Sequence, residues 1–65
     1  MTVWHIEKLA RDRYQVNGSD FTQEIVDSKS FMVLLTNKGL SIGQVTLILR
    51  NLKEKKRGFQ MVVSF

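Results

Sequence analysis

Hydrophobic and polar positions alternate through the first part of the chain. Between Thr2 and Leu9, Trp4 and Ile6 fall on one side, and His5 and Glu7 fall on the other. Arg13 to Asn17 repeats the pattern with Tyr14 and Val16. A period of two predicts half-buried strands, and Ala10-Arg11-Asp12 between the runs has a length that suits a hairpin loop. Trp4 and Tyr14 are candidates for an aromatic cluster across the hairpin, because such side chains suit a pleated, half-buried surface.

After the turn signal Asn17-Gly18 the period lengthens. Asp20 and Gln23 have the spacing of a capping box, so a helix is predicted to follow. Phe21, Ile25, Met32 and Leu35 lie near one helical face, with Ser28 interrupting it. Two arrangements fit: one helix over 21–37, or two short ones broken near Asp27-Ser28-Lys29-Ser30, with Ser30 capping the second. Thr36-Asn37-Lys38-Gly39 ends the segment, since glycine accepts the left-handed conformation that finishes many helices. Ser41 and Gln44 form a second capping box. Behind it Ile42, Val45, Ile48, Leu49 and Leu52 recur at helical spacing, while Thr46, Arg50, Lys53 and Arg57 share the opposite side. That spacing predicts a helix over 42–57. Gly58 stops it, and Phe59 to Phe65 alternates, with Phe59, Met61, Val63 and Phe65 facing one way.

The order of elements predicts one α+β domain over residues 1–65. An N-terminal β-hairpin and a C-terminal strand would make a three-stranded antiparallel sheet carrying two or three helices on one face. A chain of 65 residues is short for such a fold. It buries only about 60% of the surface its unfolded form exposes. Cysteine is absent and His5 is the only histidine, so disulfides and thiolate zinc sites are excluded and no metal or cofactor is expected. Self-association remains as a source of stability. An apolar strand at a sheet edge, open to pairing, also favours a homodimer.

The longest apolar run, Phe31 to Leu35, is far short of the ~20 residues that span a bilayer. Residues 1–7 lack the basic start and long apolar run of a signal peptide, so a cytoplasmic location is expected and no membrane partner. Catalysis has little support. His5 lies beside Glu7 on the presumed outer face with no nucleophile near, and Asp20, Glu24 and Asp27 read as a solvated face. The expectation is a protein that is not an enzyme.

Charge brings in the candidate chemistry. The net charge is +4, and eight of the ten Lys and Arg residues fall within 8–13 and 50–57. Arg50, Lys53, Lys55, Lys56 and Arg57 could hold phosphates without reading sequence, and Arg11 and Arg13 at the hairpin tip could reach the backbone beyond. The stretch from Leu34 to Ile48 resembles the centre of a DNA-binding helix-turn-helix. Gly39 stands in the turn, Leu40 and the capping Ser41 follow, and Val45 and Ile48 are apolar. The resemblance implies a second helix in the major groove. The chain departs from it at Leu35, where a small residue is usual, and at Lys38, where an apolar one is. Ile42, Gly43 and Leu47 occupy the positions that should read bases, and none of them makes bidentate contacts. Gln44 and Thr46 are the polar residues best placed to approach bases.

The sequence therefore points first to a small nucleic-acid-binding regulatory protein, with duplex DNA the favoured partner and transcription regulation the expected setting. The rival is a protein-binding regulator or inhibitor that docks through Ile42 and Leu47, or through a strand edge bearing Met61, Val63 and Phe65.

Overall fold

The computed structural model describes residues 2–65; Met1 and the side chains of Phe21 and Thr22 lie outside the described set. Six elements follow in order: β1 (Val3–Ala10), β2 (Arg13–Gly18), β3 (Phe21–Val26), α1 (Ser28–Asn37), α2 (Ile42–Glu54) and β4 (Gln60–Ser64). The strands form one antiparallel sheet in the order β3-β2-β1-β4. The fold is α+β, as the sequence predicts, and β4 is an edge strand beside β1.

The largest departure from the expectation follows β2. Residues 21–26 form a third consecutive strand, where the sequence predicts the start of a helix. Asp20 and Gln23 make no capping box there. Instead the Asp20 carboxylate accepts from the indole Nε1 of Trp4 at 3.0 Å and pairs with the ammonium of Lys38. With Asp20 engaged by the sheet and the interhelical turn, the Phe-Thr-Gln-Glu-Ile-Val segment extends along β2 and places Ile25 opposite Gln15 and Val26 opposite Tyr14. Its aromatic and β-branched residues suit that role. The helix begins only at Ser28, so of the two arrangements left open only the later helix exists. Asp27 caps it rather than Ser30, its side chain accepting from the backbone amide of Ser30. Phe31 and Leu35 are its buried positions, while Met32, predicted to face inward, is 38% exposed.

Helix α2 starts at the predicted place. Ser41 accepts from the Gln44 amide and Gln44 reaches back to the Ser41 amide, completing the capping box. Val45, Leu49 and Leu52 turn inward. They meet Trp4, Ile6, Tyr14, Val16 and Val63 from the sheet and Phe31 and Leu35 from α1 in a single core. Both helices thus cover one face of the sheet. Trp4 and Tyr14 are fully buried but are not directly opposed: Trp4 faces Gly18 and Tyr14 faces Lys8 in the register. Trp4 packs edge-on against Phe65 at 5.2 Å, and Tyr14 lies against Phe31 at 5.9 Å. The uncovered sheet face carries polar side chains, including His5 between Asn17 and Val62, and Glu7 between Gln15 and Gln60.

Candidate functional site: a basic end of the fold

The two basic segments, 8–13 and 50–57 in sequence, meet at one end of the molecule, and Lys8 joins them. Its side chain is almost fully buried, an unusual place for lysine. The ammonium donates to the carbonyl oxygens of Lys53 at 3.1 Å and Lys55 at 2.8 Å. The last carbonyls of a helix lack intrahelical partners, and a cation there also meets the negative end of the helix dipole. The backbone of Lys8 holds the same segment, its N–H donating to the Phe59 carbonyl and its C=O accepting from the Gly58 amide.

This clamp explains why the helix predicted to reach residue 57 stops at Glu54. Lys55 is already extended, with ψ of 160°, so that the chain can turn and run beside β1. Gly58, at φ of +94°, supplies the left-handed conformation of that turn. Lys56 and Arg57 are exposed in the turn and not on a helical stripe. Lys55 lies with its ammonium 5.3 Å from the centre of the Phe59 ring.

Two concavities share Lys53. One, of about 530 Å³, is lined by Lys8, Arg11, Asp12, Tyr14 and Lys53. The other, of about 370 Å³, lies between the helices and is lined by Met32, Thr46, Leu49, Arg50, Lys53 and Glu54. Arg50, Lys53 and Arg11 therefore follow one another along one side, with Glu54 and Asp12 beside them. Arg13 is not part of this line. It opens β2 one residue before the buried Tyr14, so strand alternation directs it to the uncovered face.

The acid at the hairpin tip has its own task. Asp12 adopts φ of 58°, which closes the tight turn after Arg11. Its carboxylate accepts from the hydroxyl and the backbone amide of Ser28 at the start of α1. Those two bonds, the side-chain one foremost, hold its pKa below the ordinary 3.8.

The polar residues expected to approach bases are committed to their own helix. The Gln44 side-chain oxygen accepts from the Ser41 amide at 2.9 Å, and the Thr46 hydroxyl donates to the Ile42 carbonyl at 2.7 Å. Gly39, at φ of +98°, provides the turn between α1 and α2 that a helix-turn-helix arrangement requires. Around the start of α2 the exposed residues include Ile42 at 73% and Leu47 at 63%.

The strand residues of the rival interface sit elsewhere. Val63 is buried opposite Trp4, Met61 is half-buried opposite Ile6, and Phe65 packs on Trp4. They belong to the core side of β4, and its exposed apolar residue is Val62.

The residue that sequence reasoning undervalued is Lys8. Its alternation with Trp4 and Ile6 places it on the apolar face, and a charge on that face was the available signal. Among the described residues no group of His, Asp or Glu is arranged to hold a metal, and no helix is long and apolar enough to cross a membrane. No family model matches the chain, and neither a curated protein nor a solved structure is significantly similar to it.

Proposed function

We propose that this protein is a small nucleic-acid-binding regulator that grips duplex DNA by its phosphates. The observation that carries the reading is the line of Arg50, Lys53 and Arg11 across two adjoining concavities. Cations drawn from a helix and a hairpin tip line these adjoining concavities, and the exposed Lys55, Lys56 and Arg57 follow Lys53 in the chain. Such a surface neutralises several phosphates at once and releases their counterions. Gln44 and Thr46 have hydrogen bonds within α2, and apolar Ile42 and Leu47 flank them. This supports positioning on the backbone over direct reading of base edges. Two copies pairing through an edge strand would double the number of phosphate contacts.

The test is fluorescence anisotropy of a labelled random duplex titrated with the protein at two salt concentrations. Between 50 and 200 mM salt, a protein making 6–10 phosphate contacts loses roughly 10³–10⁵ in affinity. A smaller footprint gives a shallower but still clear slope. Absence of binding at the lower salt rules the reading out.

The exposure of Ile42 and Leu47 supports a second reading, a regulator or inhibitor of another protein docking through the start of α2. Its association would tolerate salt.

A further inference from the structure

The concavity at the basic end contains a feature that helix capping and solvation leave unexplained. The hydroxyl of Tyr14 is buried and has no hydrogen-bond partner among the described residues. Tyr14 is fully buried, and it lines the same cleft as Lys8, Arg11, Asp12 and Lys53. Buried hydroxyls nearly always have a partner, and one without a partner is costly to the fold. The titratable neighbours in the cleft do not supply one: Lys8 directs its ammonium to the Lys53 and Lys55 carbonyls, and Asp12 its carboxylate to Ser28.

The cleft is rich in donors. A lysine ammonium has three N–H groups, and the two bonds of Lys8 leave one over. Arg11 brings a guanidinium, Lys53 a second ammonium and Tyr14 a phenol. Three cations against the single Asp12 carboxylate leave two positive charges in excess. A ligand that suits this set must be anionic and offer several acceptor oxygens in different directions. A phosphate group does so, and the guanidinium fork matches its geometry.

We propose that this cleft is a phosphate-group site, in which the Tyr14 hydroxyl donates to one phosphate oxygen while Lys8, Arg11 and Lys53 neutralise its charge. The proposal deepens the nucleic-acid reading, in which the group seated there is a backbone phosphate of the duplex. It rests on that reading only for the source of the phosphate, because a free phosphate has the same chemistry.

The experiment compares the native protein with Tyr14→Phe and Lys53→Gln. Tyr14→Phe removes the hydroxyl and keeps the ring against Phe31, so the fold is retained and melting is unchanged or raised. Lys53→Gln changes an exposed side chain. Each ¹⁵N-labelled protein is titrated with inorganic phosphate, with chloride at matched ionic strength as control, and anisotropy with the labelled duplex runs in parallel. Saturable phosphate-specific shifts are expected at Arg11, Asp12 and residues 53–55. Affinity should fall about tenfold in Tyr14→Phe, the size of one hydrogen bond to a charged group, and fall again in Lys53→Gln.

A matching loss in duplex affinity assigns the site to backbone phosphate. If phosphate is held in a Tyr14-dependent way while the duplex is unaffected or does not bind, the site stands and its ligand is free phosphate. Phosphate shifts that match those of chloride, or a Tyr14→Phe protein that binds phosphate as the native one does, overturn the site. Salt-sensitive duplex binding alongside either of those last results would leave the nucleic-acid reading intact.

Discussion

The ammonium of Lys8 donates to the carbonyl oxygen of Lys55 at 2.8 Å, so a cation from the core face of the first strand closes the C-terminal end of the second helix. The same ammonium holds the Lys53 carbonyl. Replacing Lys8 with methionine keeps the length and apolar stem of the side chain but leaves both carbonyls without this donor. Hydrogen bonds to charged groups contribute about 1.5–3 kcal/mol, so a loss of about 2 kcal/mol is expected, equivalent to roughly 8–16 °C of melting temperature in a domain this small. Thermal unfolding followed by circular dichroism measures it. A melting temperature within a degree or two of the native value would mean that the clamp contributes nothing.

Acid should destabilise the fold through Asp12 and Asp20. The ammonium of Lys38, followed by the indole N–H of Trp4, holds the Asp20 carboxyl below its ordinary 3.8, and Ser28 does the same for Asp12. A carboxyl with a depressed folded pKa binds fewer protons in the native state than in the unfolded chain. Its stabilisation is therefore present above 3.8 and is lost as the pH falls through the lower folded value. Melting temperature should hold down to about pH 3.8 and decline below it. Asp20→Asn should start lower at neutral pH and decline less steeply, which melts across an acid pH series would show.

Ser41 accepts from the Gln44 amide and Gln44 returns the bond, so each half of the capping box satisfies an otherwise orphaned donor. Ser41→Ala removes one half. A cost of about 1 kcal/mol is expected, typical for losing an N-cap side chain. Equilibrium urea unfolding with an unchanged slope and a lower midpoint is the expected signature.

These local signals account for most of what was legible beforehand. The hairpin, α2 and β4 follow from periods of two and 3.6 and from one clear capping box. Residues 21–26 did not, because a local capping signal at Asp20 and Gln23 competes with β-prone side chains. Long-range bonds from Asp20 to Trp4 and Lys38 decide the outcome, and no local window contains them. The end of α2 was missed for a related reason. Helical spacing continues to Arg57, yet the bond that terminates the helix comes from Lys8, far back in the chain. The basic residues themselves were plain in the sequence. Their convergence on Tyr14 was not, since it depends on the packing of α2 across β1 and β2.

If phosphates are held along the line from Arg50 to Arg11, reversing two of its charges should remove binding without harming the fold. Arg50 and Lys53 are both exposed, so the double change to glutamate leaves the core untouched. It replaces two attractive contacts with two repulsive ones, and duplex binding at low salt should disappear. The circular dichroism spectrum should be retained. Unchanged affinity in a folded double variant would exclude this surface as the contact.

Leu47 separates the two readings of α2. It is 63% exposed on a helix whose core contacts are made by Val45, Leu49 and Leu52. Leu47→Asp therefore adds a charge where water already reaches, and stability should change by no more than about 0.5 kcal/mol. Under the phosphate reading the added negative charge weakens duplex binding modestly, through distance and screening. Under the protein-docking reading it removes a desolvated apolar contact and abolishes association with the partner. Self-association belongs to the same measurement. Sedimentation at high micromolar concentration should show a homodimer if an edge strand pairs with a second copy, and a homodimer that survives Leu47→Asp pairs through the sheet edge. One that dissociates on this substitution uses the start of α2 instead. That outcome would place the contact between copies on the helix that also carries Arg50 and Lys53.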